Sequence, residues 1–343
     1  MPEITVIVAG GNPAMRIKLV RALDSAAGFR VISQASDLPA TYTAAEAMEP
    51  DVVLVARELT QLPEFSLMRS LFRALQARWI PVDHRGLNTA RLATATTAET
   101  AGDFPAIDSS QSPDSIQAQI TAAMRRAVPR KAPAVAAPIR ASASMRPGKL
   151  ILIGASTGGV DALLSVLSAL PAECPPIAVV QHTGQGFSES LIRLLDRRCA
   201  MTVEAAQDGM ELRPGRVCVA AGCPGQMRLR SNRPYRIAVE PGPLISGHLP
   251  SVDALFQSAV PYASNVVAAL LTGMGRDGAE GLLALRNAAA ATIGQDESSS
   301  VVYGMPRAAW EIGAVRQQLP LGDIAGAILR ACAQNSEEGR VAS

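Results

Sequence analysis

Long apolar runs are missing from this sequence. No stretch reaches the ~18 residues of a membrane span, and the opening MPEITVIVAGG has no basic region, apolar run and cleavage site of the kind that mark a secretory signal. A cytoplasmic chain with no direct membrane insertion is the expectation. Cysteine is sparse and unpatterned: Cys174, Cys199, Cys218, Cys223 and Cys332 are odd in number and have no CxxC spacing. That argues against both a disulfide framework and a zinc site, and the five are read as reduced and structural. Net charge is also small. A formal +2 over 343 residues gives no electrostatic ground for a nucleic-acid partner. Histidine occurs three times, at His84, His182 and His248.

What is present is a chain 48% hydrophobic and long enough for two domains. Between Arg125 and Lys149 it reads RRAVPRKAPAVAAPIRASASMRPGK, rich in Pro, Ala and basic residues and without helical or alternating periodicity. Such a composition buries no face and favours extended backbone, so residues 126–148 are expected to be a linker. Upstream, ITVIVAG, FRVISQA, DVVLVAR, WIPVDH and FPAIDS have strand length. PAMRIKLVRALDS, LPATYTAAEAME, FSLMRSLFRALQ and SPDSIQAQITAAMRRA carry apolar residues at helical spacing. Residues 85–102 have too weak a pattern to assign.

Downstream the alternation resumes, with KLILIGAS, PIAVVQH, GRVCVAA and VVAALLTG as buried strands. VDALLSVLSAL, SESLIRLLDRR, VDALFQSAV and DGAEGLLALRNAAA supply helices, and YRIAVEPGP reads as a hairpin-like excursion. Two α/β domains, each a doubly wound parallel sheet, are the expected fold class.

The segment LILIGASTGGVDALLSVL poses the functional question. Gly154, Ser156 and Gly158 satisfy G-x-S-x-G between a strand and a helix, where a sharp turn exposes a serine hydroxyl. Small residues also serve plain strand-to-helix turns. A third reading, a glycine-rich phosphate cradle at a helix N-terminus, requires an acidic residue ending the next strand, or a Walker-type lysine. The next strand, PIAVVQH, ends instead in Gln181 and His182, and the lysine is missing. The cradle reading fails on both counts.

A nucleophilic serine needs a base, and adjacent parallel strands place their carboxyl ends side by side, so Ser156 and His182 can meet there. A third strand ends in the turn of LLTGMGRDGAEGL, which carries Asp277 just before a helix. A carboxylate there can fix an imidazole tautomer and stabilise the imidazolium, and can also cap the helix. The order Ser, His, Asp differs from that of the α/β-hydrolases, so G-x-S-x-G is not taken as membership of that fold. His248, in ISGHLPSVDALF before a Pro-initiated helical stretch, is a rival base, read as structural or as part of a substrate loop. His84 ends a strand of the other domain.

From Lys149 to about Cys332 the sequence resembles the catalytic domain of the chemotaxis receptor protein-glutamate methylesterases. The resemblance rests on IGASTGG, VVQHTGQGF, GHLPSVDALF, LLTGMGRDGAEGL and QDESSSVVYGMPRAAWEIGAV, in that order. It implies a triad of Ser156, His182 and Asp277, with an oxyanion site drawn from Thr157, Gly158 and the Met274 turn. It also implies hydrolysis of glutamate methyl esters on methyl-accepting chemoreceptors, deamidation of glutamine through the same acyl intermediate, and no metal or cofactor. Partners implied are chemoreceptor cytoplasmic domains, with a chemosensory histidine kinase or adaptor as further candidates. A non-enzymatic adaptor and a generic serine esterase are the competing functions. Departures from the family pattern fall at Ala221, Cys223, the alanine run after Asn287, and Arg316; none touches the triad.

The same resemblance implies an N-terminal response-regulator receiver of flavodoxin-like fold, and here the chain departs sharply. Where a phosphorylatable receiver holds Mg²⁺ with an acidic pair, the chain has Gly10 and Gly11. Where the acceptor aspartate belongs it has Ala56, followed by Arg57. Neither glycine nor alanine can ligate a hard cation or form an acyl phosphate, and Asp51 begins its strand instead of ending it. The expected organisation is a degenerate receiver over 1–125, the linker over 126–148, a methylesterase domain over 149–335 and a tail over 336–343.

Overall fold

The central strands form where Val, Ile, Leu and Ala dominate runs of five or six residues, as in VVLVA, LILIGA and VVAAL, and the helices that cross between them force the strands to lie parallel. The computed structural model describes residues 3–62 except 26, residues 65, 68, 69 and 72, and residues 77–83, 106–125, 145–232 and 234–333. His84, the unassigned stretch 85–102, most of the expected helix FSLMRSLFRALQ, the linker as far as residue 144 and the tail lie outside the described residues. The chain divides into two compact units at residue 134.

In the N-terminal unit, β1 (Ile4–Ala9), β2 (Phe29–Ala35), β3 (Val52–Ala56), β4 (Arg78–Asp83) and β5 (Ile107–Asp108) form one parallel sheet in the order β2-β1-β3-β4-β5. That is the flavodoxin-like order, with its switch point between β1 and β3. Helices α1 (Pro13–Asp24), α2 (Leu38–Met48), the four-residue α3 (Arg57–Thr60) and α4 (Pro113–Arg125) accompany it. Asn12 begins α1 by accepting from the Ala14 and Met15 amides, with Pro13 in the first turn.

The switch point of this sheet is filled. A Cβ on Gly10 would run into the Met15 methyl and lie 2.7 Å from the Ala56 Cβ, and Met15 itself is buried. Beside it, the Arg57 guanidinium donates from two nitrogens to the Asp83 carboxylate at the end of β4, the Nη2 contact being 2.9 Å, and this pairing raises the Arg57 pKa. Asp51 is occupied at the opposite end of the sheet, where it accepts from the Thr5 amide at 2.8 Å and the Thr5 hydroxyl at 2.7 Å.

In the C-terminal unit the parallel strands are β6 (Leu150–Ala155), β7 (Ile177–Gln181), β8 (Thr202–Ala205), β9 (Arg216–Ala221), β12 (Val266–Leu270), β13 (Ala291–Gln295) and β14 (Gln317–Leu319). Their order is β14-β13-β12-β6-β7-β9-β8, and β10 (Gln226–Asn232) with β11 (Tyr235–Glu240) forms a separate antiparallel hairpin. Helices are α5 (Gly159–Ser168), α6 (Ser188–Arg198), α7 (Val252–Ser258), α8 (Ala279–Asn287), α9 (Met305–Glu311) and α10 (Leu321–Cys332). Strand β6 is buried along its whole length, as a central strand covered on both faces must be. The chain leaves β6 to one side for β7 and later returns on the other side as β12, so the switch point lies at the carboxyl end of β6, where open α/β sheets bind ligands.

Sequence patterning leaves β8, β13, β14, α9 and α10 unassigned. TVEA, ATIGQ and QQL are short and interrupted by polar or small residues, and register with an already formed neighbour makes them strands. The alanine run also has a physical meaning. After α8, the Ala289 amide donates to Arg286 O at 3.0 Å and the Ala290 amide to Leu285 O at 2.9 Å, the paired bonds of a Schellman cap. Ala289 therefore adopts φ +69°, a left-handed conformation that suits glycine. Ala289→Gly is expected to stabilise the domain by about 1 kcal/mol, measured by denaturant unfolding.

Candidate active site

Three strand ends and one helix N-terminus build the site. Ala155 and Gln181 are register partners on β6 and β7, so the next residues, Ser156 and His182, stand side by side where the two strands finish. The His182 amide donates to Ala155 O at 3.1 Å, and the Ser156 amide to Thr272 O, just past β12, at 3.0 Å. The Gln181 side chain donates to both Ser156 O and His182 O at 2.9 Å, fixing the two strand ends relative to each other. Ser156, Thr157 and Gly158 remain partly exposed.

The glycines around the serine act chiefly through close packing. A Cβ on Gly154 would lie 2.9 Å from Val252 Cγ2, and one on Gly278 would lie 2.6 Å from Val252 Cγ1. Their bare backbones let the first turn of α7 settle against the sheet. Gly158 precedes α5 at φ +77°, and Gly273 passes directly under the serine, where a Cβ would lie 2.7 Å from Ser156 Cβ.

That close approach explains the environment of Asp277, which is fully buried. Its Oδ1 accepts from Ser251 Oγ at 2.7 Å and the Asp253 amide at 3.0 Å; its Oδ2 accepts from the Val252 amide at 2.7 Å and contacts His182 Nε2 at 2.8 Å. Burial by itself pushes this carboxyl up. The hydrogen bonds from His182, Ser251, Asp253 and Val252 outweigh it and hold the group below the ordinary carboxylate range. An ionised Asp277 accepts the proton on Nε2, and the neutral ring then carries its lone pair on Nδ1. That nitrogen is buried and without a hydrogen-bond partner, so Ser156 and His182 are neighbours not yet hydrogen-bonded, as is common in unliganded sites.

Of the remaining expected positions, Met274 is 71% exposed at the turn beyond β12. The Gly273 amide is spent on Val302 O at 3.0 Å, whereas among the described residues the amides of Thr157 and Met274 donate to no acceptor. Both amides are left unspent. Among the described residues no cluster of three or more His, Cys, Asp or Glu side chains is placed to hold a metal. Burial pushes the Cys174, Cys199 and Cys218 thiols up to about 12, which leaves them protonated and unreactive.

Sequence reasoning missed two features. The helical stretch after His248 begins at Val252 and not at Pro250, and Ser251 caps it: the Ser251 hydroxyl accepts from the Ala254 amide at 3.3 Å while donating to Asp277. The serine before VDALF is an ordinary cap signal that points to this end of the helix. The other is His248, whose ring stacks on His182 with centroids 3.7 Å apart and planes 7° from parallel. Burial, followed by the proximity of His182, pushes the His248 pKa down against the opposing pull of Asp277. Only the loop fold brings these rings together, and no local pattern encodes it.

The CheB methylesterase family model matches residues 151–328, more than half of the chain. The chain belongs to the CheB methylesterase family. A protein-glutamate methylesterase/protein-glutamine glutaminase of Agrobacterium fabrum is 37% identical over 341 residues, covering 95% of each chain. One of the same name from Rhizobium etli is 39% identical over 346 residues, covering 97% of each. Among solved structures, the Thermotoga maritima CheB methylesterase catalytic domain matches at 34% identity with a TM-score of 0.52, covering 54% of this chain and 99% of that one. As a CheB methylesterase the chain carries the family's catalytic fold, and its serine stands at that fold's switch point. Among the described residues no helix is long and apolar enough to cross a membrane.

Proposed function

We propose that this protein hydrolyses glutamate methyl esters on chemoreceptor cytoplasmic domains, and deamidates glutamine side chains there, through a Ser156–His182–Asp277 triad. The observation that carries the reading is the fixed imidazole: Nε2 is held by a buried carboxylate and Nδ1 is left free beside a strand-tip serine. His182 Nδ1 takes the proton from Ser156 Oγ as that oxygen attacks the ester carbonyl. The oxyanion forms within reach of the Thr157 and Met274 amides, with Gly158 shaping the turn. The C–OCH₃ bond then breaks, methanol leaves with the proton from His182, and an acyl ester remains on Ser156. Water gives a proton to His182 and attacks the acyl carbonyl, releasing the glutamate carboxylate and restoring the serine. With a glutamine side chain the same steps release ammonia.

Asp277 stabilises the imidazolium in each half-reaction and fixes its tautomer. The chain needs no cofactor or metal for this sequence. Methanol release from methylated receptor membranes, compared with hydrolysis of a small soluble ester, tests the substrate class. A receptor esterase turns over the membranes far faster, whereas a generic esterase prefers the small ester.

We read residues 1–125 as a receiver domain that has lost phosphorylation, joined through 126–148 to a methylesterase domain over 149–335. Three features support this reading: Gly10 and Gly11 at the cation-binding position, Ala56 at the acceptor position, and the Met15 side chain packed where a carboxylate would project. Regulation then falls to protein contact, with a chemosensory kinase or adaptor as partner. Incubation with Mg²⁺ and a small phosphodonor should leave the intact mass and the methanol-release rate unchanged. An added phosphoryl group accompanied by stimulation would contradict the reading, and activation on deleting residues 1–125 would identify standing inhibition by that domain.

A further inference from the structure

We propose that His248 is a positioning residue for the catalytic base, holding the face of the His182 ring while Asp277 holds its edge. The proposal rests on the triad reading above. One hydrogen bond, from Nε2 to Asp277, leaves an imidazole free to rock about its Cβ–Cγ bond, a broad torsion for histidine. Nδ1 has no partner to stop it. A second ring 3.7 Å away and nearly parallel does stop it, because turning either ring drives an edge into the other's face.

The support for that second ring is rigid. Ile245 and His248 exchange backbone hydrogen bonds at 3.1 and 2.9 Å. The buried Gln226 side chain, from the hairpin, donates to Pro243 O at 2.9 Å and His248 O at 3.1 Å, and accepts from the Ser251 amide at 2.8 Å. Ser246 Oγ donates to Asp253 at 2.7 Å, and Asp253 accepts from the Gly281 amide at 2.7 Å. Residues 245–253 thus form one braced segment. It gives His182 a ring to lean on and gives Asp277 the Ser251 hydroxyl and the amides of Val252 and Asp253, so base and orienting carboxylate are registered to a common support.

The stack also bears on charge. Once His182 takes the serine proton, a neutral aromatic face beside it is favourable, and a second cation would not be. Asp277, from the turn before α8, acts electrostatically on the His248 ring, and Asp253 of α7 interacts with Asp277 in turn.

The test uses the full-length protein and methanol release from methylated receptor membranes, comparing His248→Ala, His248→Phe and His248→Leu. Loss of the stack should lower kcat about ten- to a hundredfold in the Ala and Leu variants with KM little changed. Phe, which keeps a flat ring, should recover kcat to within about threefold of the original. The proton on His182 Nε2 should be visible by NMR in the original and Phe proteins and broadened by exchange in the others. If Ala does not fold, Leu against Phe carries the comparison. Equal kcat in Phe and Leu, a loss confined to KM, or full activity without the ring would overturn the proposal. Ser156→Ala run alongside separates the two readings: activity surviving in that variant removes the triad itself, whereas a dead Ser156→Ala with a fully active His248→Leu removes only the role of the stack.

Discussion

Replacing Ser156 by alanine should lower kcat for methanol release at least about ten-thousandfold while leaving the fold intact. The magnitude follows from the chemistry: without the hydroxyl no acyl-enzyme forms, and the oxyanion donors and substrate binding alone sustain only a residual rate. The fold is preserved because Ser156 supports its surroundings through its backbone. Its amide bonds Thr272 O, and its carbonyl accepts from the Gly159 amide and the Gln181 side chain. Alanine keeps all of these and adds no bulk over Gly273, where the Ser156 Cβ already sits. Unfolding measured by circular dichroism should therefore be unchanged, and KM, which reflects surfaces away from the hydroxyl, should move little.

Asp277→Asn should cost both rate and stability, which separates it from the serine variant. An asparagine keeps the shape but offers one acceptor oxygen where the carboxylate receives four donors from His182, Ser251, Val252 and Asp253. Whichever way it is turned, its NH₂ group faces a backbone amide that cannot accept, that of Val252 or that of Asp253. Each buried donor left unpaired costs about 1–3 kcal/mol, so the thermal midpoint should fall by several degrees. The rate should fall by about a thousandfold or more, because an amide can stabilise the wrong imidazole tautomer and cannot balance the imidazolium charge. The folded-state pKa of Asp277 is depressed, so its ionised form contributes stability above the ordinary carboxylate pKa of about 3.9 and loses it as pH falls through the lower folded value. The stability gap between the original protein and Asp277→Asn should thus be widest at neutral pH and narrow below about pH 4.

What could be read from the sequence was what depends on chain-local grammar. Val-, Ile- and Leu-rich runs such as LILIGA and IAVVQ declare buried parallel strands by composition alone, and the residues that end them, Ser156 and His182, inherit their location from the sheet. Asp277 could be placed for the same reason, since it follows the short glycine turn at the end of β12. The antiparallel hairpin around YRIAVE was also legible as an excursion from the alternation. Strands β13 and β14 were not, because ATIGQ and QQL gain strand character only from neighbours distant in the chain. The stack of His248 on His182 is hidden for a stronger reason: it joins residues 66 positions apart, and the joining loop is shaped by Gln226, whose side chain reaches from a hairpin to the loop carbonyls. Which imidazole nitrogen faces the carboxylate is likewise a property of side-chain placement that residue order does not encode.

The N-terminal unit makes a complementary point. The resemblance to receivers puts Gly10, Gly11 and Ala56 where a phosphorylation site is expected, but the sequence did not say how the space beside these small residues is used. Met15 fills part of it, and the Arg57–Asp83 pair neutralises the charge at the neighbouring strand ends. Restoring an aspartate at position 10 alone would therefore meet a packed core.

Whether Ser156 carries the acyl group is tested by titrating the full-length protein with an alkyl phosphonofluoridate, which bonds to an activated serine oxygen and leaves a tetrahedral adduct there. Intact-mass and peptide mapping would be followed alongside methanol release from methylated receptor membranes. The predicted result is one adduct per chain, on Ser156, with activity falling in proportion to labelling and no adduct in His182→Ala. Full labelling of Ser156 with methanol release intact, or loss of activity with Ser156 unmodified, would rule out Ser156 as the nucleophile.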